Sequence, residues 1–129
     1  MEPNRLSREE LEYELSVRGI PNTRILNIPV MRQELTKLLK KEILGTIINN
    51  SDVQRLPAEE ITICTNKLKS IQKILSEATE DTFNTEYRKI SSRLLHLSGR
   101  LARISSDDVE VTASQKQLEL QIVIFEEEL

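Results

Sequence analysis

Apolar positions fall into two rhythms along this chain. Up to about residue 45 they come in short amphipathic runs, each bounded by helix start and stop residues. From Pro57 onward they recur every three or four residues over long stretches. Ser7 and Glu10 have the Ser-x-x-Glu spacing of a capping box, in which each side chain bonds the other residue's amide. Leu6 and Leu11 flank that box at the positions of a hydrophobic staple, and Leu11, Leu15 and Val17 form the apolar face of a first helix. Gly19 supplies the left-handed residue that ends a helix, Ile20 is placed to pack back on Leu15, and Pro21 prevents continuation.

Residues 22–27 read as a loop. Asn27 is the N-cap of a second helix, with Pro29 in its first turn and Val30, Met31, Leu35, Leu38 and Leu39 on its apolar face. That helix stops at Gly45 or runs on through Ile47 and Ile48. Asn49-Asn50-Ser51-Asp52 marks a linker, so the chain divides into a helical pair at 1–48, a linker at 49–56 and a second module at 57–129.

The second module reads as three helices. The third starts at Pro57, with Glu59 and Glu60 in a first turn that favours negative charge, and carries the seam Ile61, Cys64, Leu68, Ile71, Leu75, Ala78. The fourth, Thr85 to Ile104, repeats that heptad rhythm with Tyr87, Ile90, Leu94, Leu97, Leu101 and Ile104. After the turn Ser105-Ser106-Asp107-Asp108, in which Asp107 and Glu110 form a weaker capping pair, the fifth carries Val111, Leu118, Ile122, Phe125 and Leu129. Gln115 interrupts this last seam. Short connections predict antiparallel neighbours, a three-helix bundle or a long helical hairpin. The fold class expected is therefore all-α.

Composition narrows the class further. Aromatic residues make up 3% of the chain and Trp is absent, so the core is aliphatic. Few Gly and Pro with 30% charged residues favour long helices over sandwiches or barrels. No apolar run is long enough for a membrane span and none follows Met1 as a signal peptide would, while Glu2 excludes myristoylation at this start. One cysteine, Cys64, excludes an internal disulfide and fits a reducing compartment, hence an intracellular protein of cytoplasm or nucleus.

Enzymatic chemistry finds little to stand on. His96, the single histidine, lies between Arg93 and Arg100 on an expected solvent face, with no His/Cys/Asp spacing to make it a base or a metal ligand. Cys64 falls on a core position, where it acts as a small hydrophobe. The carboxylate pairs Glu9/Glu10 and Asp107/Asp108 sit at helix starts, where the dipole accounts for them. No catalytic residue, metal site or cofactor is expected.

Charge offers a sharper candidate. Lys89, Arg93, His96, Arg100 and Arg103 share one face of the fourth helix, a stripe suited to nucleic-acid phosphates or anionic lipid. From Asp107 to Leu129 there are seven acids against one lysine. A basic helix beside an acidic one is the pattern of complementary flanking charges inside a bundle, and that intramolecular reading is favoured. The fifth helix also has apolar surplus: Val123 and Ile124 lie off its seam. With Leu118, Ile122 and Phe125 they form a candidate self-association surface, or else cover the junction with the first two helices. The chain stops at Glu126-Glu127-Glu128-Leu129 in helical rhythm, which leads us to expect a longer parent protein.

The opening block also carries a resemblance. Leu11-x-x-x-Leu15-x-x-Arg18-Gly19-Ile20-Pro21, followed by the Leu35-x-x-Leu38-Leu39 helix, resembles a SAP motif, a small helix-extended-helix module associated with DNA or chromatin. Glu14-Leu15-Ser16-Val17-Arg18-Gly19 with Met31-Arg32-Gln33-Glu34-Leu35 is similar to the SAP-like segment that opens Gag-like proteins of arthropod LTR retroelements. The likeness covers about the first third of the chain. It implies a non-enzymatic assembly region acting through helix-mediated self-association, with another copy or another helical protein as partner. The SAP likeness implies the alternative, nucleic-acid binding, with Arg18, Arg24, Arg32 and Lys37, or the stripe Lys89, Arg93, Arg100 and Arg103, contacting phosphates.

Overall fold

A computed structural model describes residues 1–45 and 55–129. The described residues form an all-helical fold, without a strand, and fall into two compact units, Met1–Gln54 and Arg55–Leu129. The linker expected at 49–56 lies mostly outside the described residues, as do Ile47 and Ile48.

The first unit is a pair of helices, α1 (Arg8–Val17) and α2 (Ile28–Ile43), preceded by a 3-10 turn at Pro3–Arg5. The start of α1 is the expected capping box. The Ser7 hydroxyl accepts from the Glu10 amide at 3.3 Å, and the Ser7 amide donates to the Glu10 carboxylate at 2.8 Å. Gly19 adopts φ 89°, and the Ile20 amide donates to the Leu15 carbonyl while the Gly19 amide donates to that of Ser16, the two bonds of a Schellman ending. The loop is more ordered than its polar sequence suggests. Asn22 is left-handed, Thr23–Ile25 form a 3-10 turn, and the Arg8 guanidinium donates to the carbonyls of Arg24 and Leu26. Asn27 caps α2 by accepting from the Val30 amide, and Gly45 at φ 92° follows the helix end. Leu6, Leu11, Leu15, Met31 and Leu35 form the core, with Ile20, Leu38 and Leu39 packed against it. Val30 points outward.

The second unit is a three-helix bundle of α3 (Pro57–Glu77), α4 (Phe83–Ala102) and α5 (Val109–Glu128), each in contact with the other two. Its core comes from the expected seams: Cys64, Leu68 and Ile71 from α3; Ile90, Leu94, Leu97 and Leu101 from α4, extended by Ile104; and Leu118, Ile122 and Phe125 from α5, while Ile61, Leu75, Val111 and Leu129 are partly buried against it and Ala78 is the C-cap of α3. At about 1.5–3 kcal/mol for each large aliphatic side chain removed from water, these residues supply the main driving force for the unit. Three expectations are corrected. Tyr87 is 44% exposed and packs beside Phe83, with ring centroids 6.1 Å apart, so the α4 seam begins at Ile90. The N-cap of α5 is Asp108, which accepts from the Glu110 amide, and not Asp107. Gln115 does not merely interrupt a seam. Its side-chain amide donates to the carbonyls of Leu101 (2.8 Å) and Ile104 (3.1 Å), closing the C-terminal end of α4 from the neighbouring helix.

Candidate interaction surfaces

The arginines expected to contact phosphate part ways in the structure. Arg18, the C-cap of α1 just before Gly19, turns inward. It bonds the Glu14 carboxylate one turn back and reaches across to Glu42 near the end of α2, with Nε to Oε1 at 2.7 Å. Burial works against its charge, but the hydrogen bonds and fields of Glu42 and Glu14 outweigh it and raise its pKa above the ordinary arginine value. Arg100 is 1% exposed and holds Glu60 of α3 in a two-point bond, Nε to Oε2 at 2.7 Å and Nη2 to Oε1 at 3.2 Å. Arg55 adds a longer contact to the same carboxylate at 3.7 Å. Neither buried guanidinium offers a surface to phosphate in this conformation. The fold also adds a detail to the charge pattern: Arg100 of α4 pairs with Glu60 of α3, so Glu60 is an ion-pair partner as well as a first-turn acid.

His96 is another correction. It is completely buried, not on a solvent face. Ser92, His96 and Arg100 follow one another at one-turn intervals on α4 and all are buried. This helix packs against both neighbours, so its covered face is wider than a two-position seam. Cys64 is buried in the aliphatic core, as its position implied. Among the described residues there is no group of three or more His, Cys, Asp or Glu side chains able to hold a metal ion, and no helix is long and apolar enough to cross a membrane.

The remaining candidate cations are closer to water. Arg24 and Arg103 are exposed, and Lys89 and Arg93 are half-buried. Arg32 and Lys37 both line an open groove of about 400 Å³ between Pro3 and Asn4 of the first 3-10 turn and α2. Gln33, Thr36 and Lys40 complete its wall. Lys37 also meets Glu34 at 3.5 Å in an exposed pair. Lys40 was not singled out from the sequence, although its three-residue step from Lys37 puts both on one helix face.

The expected self-association set divides as well. Leu118, Ile122 and Phe125 belong to the bundle core and are not available at the surface. Val123 and Ile124 remain about half exposed, at 49% and 47%, and are joined by Leu120 at 60%. Positions 120, 123 and 124 have the i, i+3, i+4 spacing of one helix face, so α5 is apolar on two sides. The spacing itself was the signal for Leu120, but from sequence alone it competes with the core seam for the same residues.

Comparison with family models, with curated proteins and with solved structures found no match for this chain.

Proposed function

We propose that this chain is a non-enzymatic assembly domain that self-associates through the outer face of α5. The observation that carries this reading is the exposed apolar set Leu120, Val123 and Ile124. The helix already commits its other face to a complete core, so folding of the bundle leaves this set unused. We further propose that the domain is the N-terminal region of a Gag-like protein of the kind its opening block resembles. In support, the residues behind the resemblance have framework duties. Leu15, Met31 and Leu35 build the first core, Glu14 and Arg18 form an internal ion pair, and Gly19 ends the helix. A motif made of such residues marks a way of folding, and with Arg18 occupied by carboxylates it weakens the case for phosphate recognition.

Light scattering of the wild-type chain and of Leu120→Glu/Ile124→Glu, across a range of concentrations, tests the reading. The wild-type mass is expected to rise with concentration, while the variant stays monomeric with an unchanged circular dichroism spectrum. A wild-type chain that is monomeric at high micromolar concentration overturns self-assembly. Tight retardation of DNA or RNA in a low-salt gel shift, lost on adding salt, would favour the nucleic-acid reading instead.

A further inference from the structure

The α5 face needs a receptor, and its charge argues against a second α5. From Val109 to Glu128 there are five glutamates and one lysine, and Glu119, Glu126 and Glu127 are exposed beside Leu120, Val123 and Ile124. Two such faces laid together would join their apolar strips at the cost of setting acidic rims against each other. The groove on α2 has the opposite character. Its lining is mainly apolar, as Pro3 and the aliphatic stems of long side chains allow, and it includes three cationic residues, Arg32, Lys37 and Lys40. Along α2 four Lys/Arg face two glutamates, and one of these, Glu42, is held by Arg18. An amphipathic helix laid into a groove, with apolar anchors at i, i+3 and i+4 and rims of opposite sign, is a recurring recognition geometry.

We infer that the α2 groove of one copy receives the α5 outer face of a second copy, making a head-to-tail interface. The inference rests on the assembly reading above and names its second surface. Leu120, Val123 and Ile124 lie over the groove floor, and the exposed glutamates of α5 meet Arg32, Lys37 and Lys40. Because the two surfaces differ, each copy keeps one groove and one α5 face free after pairing. Association therefore continues into rings or open chains and does not stop at a two-fold dimer. Desolvated apolar contact provides the holding energy, and the charged rims set orientation and make assembly salt-sensitive.

Mixing two surface variants tests this. Lys37→Glu/Lys40→Glu disables the groove, and Leu120→Ser/Ile124→Ser disables the α5 face. All four positions are exposed, and circular dichroism melts report whether each variant is folded. In sedimentation velocity, the wild type is expected to form species beyond a dimer that shrink at molar salt. Each variant alone is expected to be monomeric. Their equimolar mixture is expected to form a dimer and nothing larger, since only one intact groove and one intact α5 face can meet. Assembly of the groove variant equal to that of the wild type overturns the inference while leaving self-association through α5 standing. A mixture that stays monomeric, when the wild type assembles, also overturns it. A monomeric wild type overturns both readings.

Discussion

Each unit of this protein buries one arginine against glutamate, and the two solutions differ in where the partners come from. In the helical pair, Arg18 finds Glu14 one turn away on its own helix and adds Glu42 from α2. In the bundle, Arg100 has its carboxylate forty positions away, on α3. The first arrangement is half local, and Glu42 is still 30% exposed and able to turn toward water. The second is wholly tertiary, with the two side chains 1% and 7% exposed. A buried pair adds little net stability compared with a well-packed apolar pair, but removing one member strands the other charge. The comparison therefore predicts that both units depend on their ion pairs, because loss of Arg100 strands Glu60 and loss of Arg18 strands Glu14, itself 2% exposed.

The largest effects are expected at Arg100 and Arg18. Arg100→Met should lower the unfolding free energy of the bundle by about 3–5 kcal/mol, because Glu60 is left buried. Glu60→Met/Arg100→Met should recover most of that loss in urea unfolding. Equal instability of the single and double variants would mean that the stranded carboxylate is not the cause. Arg18→Met should cost a similar amount, about 3–5 kcal/mol, because Glu14, 2% exposed, is left buried even though Glu42 can rehydrate. A loss at Arg18 of less than about 1 kcal/mol would mean that its removal does not strand Glu14. The raised pKa of Arg18 means that its contribution is fully present below the ordinary arginine range. It fades only as pH rises through the raised value, so Arg18 itself should add no slope to stability between pH 5 and 9, readable in melts of wild type against Arg18→Met.

Smaller changes sharpen the same contrast between local and long-range bonds. Gln115→Leu removes the bonds to the Leu101 and Ile104 carbonyls, and a loss of about 1–2 kcal/mol is expected in thermal melts of the bundle. Faster hydrogen exchange confined to the end of α4 would identify the cause. At the smallest scale, Ser7→Ala breaks one half of the capping box and should cost about 1 kcal/mol in the helical pair. Ser7→Asp, which can still cap, should restore it. Failure of that rescue would show that Ser7 matters for something other than its hydrogen bond.

How far each feature could be read from sequence follows from the range of the interaction behind it. The capping box at Ser7, the Gly19 stop and the Asn27 cap are made by residues within a few positions of one another, and all three stand as expected. The heptad seams also emerge nearly intact, because periodicity alone puts Leu68, Ile71, Leu94 and Leu97 on a common face. The burial of His96 does not follow from sequence, because the spacing that aligns it with Lys89 and Arg93 says nothing of how many helices will cover that face. Gln115 looked like a defect in a seam because the carbonyls it serves belong to another helix. Of the five self-association candidates, Leu118, Ile122 and Phe125 serve the core, because the spacing that makes a surface stripe is also the spacing of a core seam.

The amino-acid sequence by itself determined where the described helices lie, how several of them start and stop, and which aliphatic side chains face one another across the bundle. These outcomes rest on backbone hydrogen bonding, capping and periodicity, all of which act within a few residues. Tertiary structure decided which polar groups went inside and which apolar groups were left outside. Arg18, His96 and Arg100 are buried, and Leu120, Val123 and Ile124 are exposed, because burial depends on the surfaces that neighbouring helices present. A side chain's exposure belongs to the assembly of helices, and no helix carries that information alone.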